Sequence, residues 1–205
     1  MTAPIVHIIG PGGAGKSRVG PRLAKNLGWT CIDLDEYFLA TVGRIATFIE
    51  SQGYTAYAKR NVRNYFEIAS GLGKPLVVVL SSGFMTYPVN VGTQYPALRD
   101  EVERHPLSLV LLPSFNFEEC VRIIVDRQLQ RPYLAADRKT EEARIRNRLP
   151  IFMALRCKRF LSVESPARLA LQLEAFVTAN SALNGDVPSA GAAPAAAGRR
   201  LASIR

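Results

Sequence analysis

The chain has 205 residues, 48% of them hydrophobic, which fits one globular domain able to bury a full core without disulfide staples. Its net charge of +9 is scattered rather than gathered into one run, and no aromatic-interleaved basic motif occurs, so small anionic ligands are expected rather than nucleic acid. Three cysteines without metal-like or CxxC spacing exclude a disulfide framework, the first seven residues lack the basic start of a signal peptide, and no apolar run approaches a membrane span, so a cytoplasmic monomer is expected.

Taken in chain order, Ile5–Ile9 (IVHII) reads as a buried strand. The segment Gly10-Pro11-Gly12-Gly13-Ala14-Gly15-Lys16-Ser17 follows and opens a helix over 17–27 that Gly28 stops. A second strand is expected at 30–34, then helices at Ile45–Gln52 and 56–69. Lys74-Pro75 introduces a third strand, 76–80 (LVVVL). A helix over Tyr95–Arg104, a strand at 107–112, helices over Phe117–Leu129 and 141–156, a short strand at 160–163 and a helix at 166–179 complete the pattern. Strands that are apolar on both faces and separated by helices imply an α/β fold, a parallel sheet with helices on both sides. From Asn184 the composition turns to Gly, Ala, Pro and Ser, so the expected division is a domain at 1–183 and a disordered tail at 184–205.

The segment at 10–17 satisfies G-x-x-x-x-G-K-[ST], a phosphate-binding loop, in the strand-to-helix setting that this loop requires. Glycines permit the backbone angles that turn successive N–H groups around a phosphate, and the helix that follows points its positive end at the same oxygens. Gly12, Gly13, Ala14, Gly15, Lys16, Ser17 and Arg18 are the expected nucleotide-binding residues. Lys16 would reach the β- and γ-phosphates, and Ser17 would take one position on Mg²⁺. A glycine-rich turn that merely joined strand to helix would not require the Lys-Ser pair. ATP and Mg²⁺ are therefore the expected cofactors.

Asp33 and Asp35 lie two residues apart at the end of the second strand, so both carboxylates are expected on one face. Ligands bind beyond the carboxyl ends of parallel strands. One acid can hold a water on Mg²⁺ and the other can accept a proton from an acceptor hydroxyl. Either could instead cap a following helix.

The GPGGAGKS loop, the LAKNLGW and IDLDEYF segments and Gly43-Arg44 together resemble the shikimate kinase family of P-loop small-molecule kinases. Arg131-Pro132-Tyr133-Leu134 resembles the family's R-P-L-L lid signature, and Arg148-Leu149-Pro150-Ile151-Phe152 its later R-x-P-L-Y. The resemblance covers about Ile5 to Phe152. It implies a three-layer P-loop kinase fold, a five-stranded parallel sheet of order 2-3-1-4-5, and transfer of the ATP γ-phosphoryl group to a hydroxyl of shikimate or a similar small cyclic hydroxy acid. Carried over by position, Ser17 and Asp33 would serve Mg²⁺, Asp35 would hold the acceptor hydroxyls and act as base, Arg131 would close over the phosphates, and Arg148 would grip the substrate carboxylate.

The sequence departs from the family at two places. Where the family has a Gly-Gly-Gly turn after the third strand, the chain reads Ser81-Ser82-Gly83 followed by Phe84. Where the family has an aromatic followed by an arginine for the substrate carboxylate, the chain has Tyr57-Ala58. Lys59 is the nearest substitute, with Arg60 and Arg63 the other candidates, and Ser82 and Gly83 are the expected substrate contacts on the turn. The ATP half of the site thus matches and the acceptor half is altered. The alternatives are a same-fold kinase for another small polar acceptor and a non-catalytic nucleotide-binding module, against which Asp33, Asp35 and Arg131 all count.

Overall fold

The computed structural model describes residues 3–71, 73–130 and 137–183. The expected tail therefore lies outside the described residues. Five strands, β1 (Ile5–Ile9), β2 (Thr30–Asp33), β3 (Leu76–Val79), β4 (Ser108–Leu112) and β5 (Lys158–Leu161), form one sheet of order β2-β3-β1-β4-β5 with every pairing parallel. This is the sheet order that the resemblance implied.

Eight helices accompany the strands among the described residues: α1 (Lys16–Leu27), α2 (Leu34–Thr41), α3 (Ile45–Gln52), α4 (Tyr54–Gly71), α5 (Tyr95–Arg104), α6 (Phe117–Leu129), α7 (Arg138–Ala154) and α8 (Pro166–Leu183). Alternate strand residues feed two cores. Val6, Ile8, Val77, Val79, Leu109 and Leu111 pack under α1 and α8. Ile9, Leu76, Val78, Val110 and Leu112 pack under α2 and α4 to α7. Both faces of the inner strands β1, β3 and β4 are thus buried, which is why those strands are largely apolar, whereas the edge strands β2 (TCID) and β5 (KRFL) are partly exposed and carry polar residues.

His7 and Ser108 are buried polar residues inside the sheet, 2% and 1% exposed. Ser108 spends its proton on the Val102 carbonyl at 2.6 Å, so the His7 Nδ1–H donates to Ser108 at 3.0 Å. Nε2 then accepts from the Tyr65 hydroxyl at 2.8 Å. Burial, with His105 beside it, pushes the His7 pKa down to about 3, so the ring is neutral.

Two expectations are corrected. The second strand ends at Asp33, and Asp35 lies in the first turn of α2, a helix that the chain-order reading omitted. Asp33 is its N-cap, accepting from the Asp35 N–H at 2.9 Å, and Leu34 and Phe38 are its buried face. The helix expected at 141–156 begins at Arg138 and runs through Pro150 to Ala154, because Asp137 caps it by accepting from the Thr140 N–H at 3.0 Å.

Candidate active site

The loop between β1 and α1 turns on two glycines in the left-handed region, Gly13 at φ 82° and Gly15 at φ 89°. Gly15 is the N-cap of α1 and supplies no side-chain cap, and the first turn of α1 contains no acid. The orphan N–H groups of that turn and the positive end of the helix are thus left for an external anion. Lys16 is 8% exposed and folds back over the loop, donating to the Gly10 carbonyl at 2.7 Å and the Pro11 carbonyl at 3.1 Å. Gly12 lies behind the loop, where a Cβ would come within 2.5 Å of Gln128 Nε2.

A cleft of about 450 Å³ opens in front of the loop. Gly13, Ala14, Gly15, Lys16, Ser17 and Arg18 line one side, and Asp33, Asp35 and Ser82 line another. Arg127, which sequence reasoning missed, also lines it. Its guanidinium donates to the Gly13 carbonyl at 3.1 Å and the Ser162 carbonyl at 3.2 Å, clamping the phosphate loop to the segment after β5. Only its place four residues before Arg131 marked it in the sequence.

Ser17 Oγ donates to Asp33 Oδ2 at 2.6 Å. A hydroxyl beside a carboxylate at the mouth of an anion nest is a suitable hard-oxygen set for Mg²⁺. Among the described residues no cluster of three or more His, Cys, Asp or Glu is placed to hold a metal. An ion here would therefore share nucleotide oxygens and keep several waters, the usual habit of Mg²⁺.

Asp35 faces the same cleft. Its Oδ1 accepts from Ser81 Oγ at 2.5 Å and from the Tyr57 hydroxyl at 3.3 Å. Burial, and then the Asp35 charge, push the Tyr57 pKa well above its usual range, which keeps the phenol a proton donor. Behind them Asn61, fully buried, donates through Nδ2 to Ser81 Oγ at 2.7 Å and to the Tyr87 hydroxyl at 2.8 Å. Asn61 is a second residue the sequence reading did not single out. An Asn inside the stripe of Tyr57, Ala58, Val62 and Tyr65 was the available signal.

The remaining acceptor residues divide. Gly83 lies under Tyr54 and Tyr87, where a Cβ would stand 2.5 Å from the Tyr54 hydroxyl and 2.9 Å from Tyr87 Cε1, so a side chain there would have to displace those rings. Arg148 donates to the Tyr54 hydroxyl at 3.2 Å and its guanidinium lies 5.6 Å from that ring's centre. Lys59 and Arg60 are not brought to Asp35. Lys59 lines a separate cleft with Arg63 and Phe66, and Arg60 lies 3.8 Å from Glu67. The physical reason is helical phase: Ala58 and Asn61 point inward, so Lys59 and Arg63 point out. Arg131 lies outside the described residues.

A phosphate loop after the central strand of a 2-3-1-4-5 parallel sheet, with two carboxylates across its mouth, defines a P-loop kinase fold. The shikimate kinase family model matches residues 12–175, and the chain belongs to that family. Shikimate kinase of Psychrobacter sp. (strain PRwf-1) is 32% identical over 118 residues, covering 57% of this chain and 60% of that relative, so the match spans less than two thirds of the relative's length. Shikimate kinase of Corynebacterium efficiens is 28% identical over 155 residues, covering 74% of this chain and 83% of the relative. In fold the chain is similar to the shikimate kinase of Acinetobacter baumannii solved with shikimate, with a TM-score of 0.65 at 20% identity, over 87% of this chain and 95% of that one.

Proposed function

We propose that the chain is an ATP-dependent kinase that phosphorylates a hydroxyl of shikimate or a similar small cyclic hydroxy acid. The observation that carries this is the placement of Asp35. It shares one cleft with Lys16 and Ser17, its Oδ1 is occupied by two hydroxyl donors, and its Oδ2 takes no bond from the described residues, which leaves that oxygen for an acceptor hydroxyl.

In this reading the first-turn amides of α1 and the Lys16 ammonium hold the phosphates, and Ser17 with Asp33 holds the ion. ATP supplies the phosphoryl group and Mg²⁺ neutralises its charge. Asp35 orients the acceptor hydroxyl and takes its proton as the new bond forms. Arg131 is assigned the lid role over the phosphates. Three free cysteines and the absence, among the described residues, of a helix long and apolar enough to span a membrane support a cytoplasmic protein, and we read it as a monomer.

The test is a coupled assay with millimolar shikimate, ATP and Mg²⁺, with Asp35→Asn as control. Turnover that falls about 10²–10⁴-fold in the variant supports the reading. No turnover by the wild-type chain refutes shikimate as the acceptor. A second reading, another small polar acceptor, is favoured by the acceptor side itself, where Ala58 supplies no charge and the Tyr54 hydroxyl lies on Gly83.

A further inference from the structure

Arg144 and Arg148 stand one turn apart on α7, so their side chains leave the helix on the same side. Arg148 donates to the Tyr54 hydroxyl at 3.2 Å, and the Tyr54 ring stands 5.8 Å from that of Tyr57, whose hydroxyl donates to Asp35 at 3.3 Å. The Arg148 guanidinium thus meets the Tyr54 hydroxyl that lies over Gly83, and Arg144 leaves the same side of α7 one turn away.

Arg144 is held from behind. It pairs with Glu141, which is 1% exposed and also accepts from Gln128 Nε2 at 3.3 Å. Glu141 cannot swing to water, so it fixes the guanidinium. An arginine offers five N–H donors in a planar fork, and the single bond to Glu141 leaves the other edges for a ligand. Among the described residues Arg148 has no acidic partner. On α4, position 58 is the uncharged Ala58, and the half-buried Arg60 lies 3.8 Å from Glu67.

We propose that Arg144 is a substrate-binding residue which, together with Arg148, forms a two-guanidinium clamp on α7 for a carboxylate of the acceptor, with Glu141 as its positioning residue. The inference rests on the reading of the acceptor as a hydroxy acid. It places both carboxylate-binding arms on one helix, in place of an arginine at position 58, where α4 has Ala58.

The experiment compares shikimate with its uncharged methyl ester as acceptors for the wild type, Arg144→Gln, Arg144→Lys and the double variant Glu141→Gln/Arg144→Gln. Loss of one charged arm is expected to raise the KM for shikimate about 30-fold, the factor that corresponds to about 2 kcal/mol. The KM for ATP and the KM for the ester should stay unchanged, and Arg144→Lys should fall between. Arg144→Gln alone strands a buried carboxylate. Should it not fold, the double variant, which removes both charges, carries the test. An unchanged shikimate KM in a folded variant, or equal losses for acid and ester, overturns the clamp.

If the wild type does not phosphorylate shikimate, shikimate is refuted as the acceptor and the clamp is judged by binding. ADP-saturated protein is then screened by thermal shift against quinate and gluconate, each beside its methyl ester. Stabilisation by an acid but not its ester, lost in the double variant, supports the clamp. No carboxylate-dependent binding by any of them overturns it.

Discussion

The Ser81 hydroxyl donates to Asp35 Oδ1 at 2.5 Å while it accepts from the Asn61 amide at 2.7 Å. This relay places the carboxylate from the strand side, where the family's turn has glycine. Ser81→Ala removes the donor and leaves Asp35 with only the longer Tyr57 bond. The expected result is a fall of about ten- to a hundredfold in kcat/KM for the acceptor, because small displacements of a reacting group are costly. The KM for ATP should not move. Chemical denaturation should show a loss of about 1–3 kcal/mol, the usual cost of leaving a buried polar group unpaired. Unchanged acceptor kinetics would separate Ser81 from the chemistry.

Asp33 carries two tasks at once, capping α2 through Oδ1 and accepting from Ser17 through Oδ2. Asp33→Asn keeps the cap, since Asn and Asp cap equally well, and removes only the charge. Stability is expected to change by less than about 0.5 kcal/mol. The Mg²⁺ concentration for half-maximal activity should rise about tenfold, the effect of about 1.4 kcal/mol. The thermal shift given by ADP alone should be unchanged, and the extra shift from Mg²⁺ should shrink. If the Mg²⁺ requirement does not move, Asp33 is a cap and nothing more.

His7 makes stability depend on pH. Its folded pKa, about 3, is below the unfolded value of 6.5, so the folded state resists a proton that the unfolded state takes. The stabilisation is complete above pH 6.5 and is lost as pH falls from 6.5 toward 3, at about 1.4 kcal/mol per pH unit. His105, whose pKa burial also lowers, acts in the same direction. Urea unfolding at pH 7.5, 6.0 and 5.0 should show this slope for the wild type. His7→Gln should give a flatter one, and equal slopes would contradict the assignment.

Gly20 lies in α1 against the sheet, where a Cβ would collide with Val79 Cγ2 and meet Cys31 Sγ at 3.4 Å. Gly20→Ala gains up to about 1 kcal/mol of helix propensity. Overpacking against a rigid strand costs about 1–3 kcal/mol, so net destabilisation is expected. Val79→Ala opens the space, and the double variant should be more stable than the sum of the two single losses predicts. Additive losses in the denaturation midpoints would show that the contact does not matter.

The nucleotide half of the site was legible because its chemistry is local. The loop at 10–17, the strand before it and the helix after it are contiguous, and each glycine answers a backbone demand of the same turn. The acceptor half depends on how separate elements face one another. Lys59 was nearest in sequence to the missing arginine, but Val62, Tyr65 and Ile68 fix the phase of α4 and turn Lys59 outward. Arg144 was hidden for the converse reason, since its place beside Arg148 matters only once Arg148 meets Tyr54 of α4. Helix α2 was missed because it is short and buries only Leu34 and Phe38. Its start was nonetheless written in Asp33 and Glu36, a capping-box spacing.

The central place of β1 has a consequence for how the chain is made. His7 pairs with Val78 on one side and with Ser108 on the other, 101 residues downstream. β1, the first of the five strands in the chain, therefore waits for β4 before it has both neighbours, and closing so long a loop is slow. Until then the phosphate loop hangs from a strand supported on the β3 side alone. Nucleotide binding by a nascent chain would thus report that the fold is complete at least to Leu112, which makes ATP a late witness of assembly rather than an early template for it.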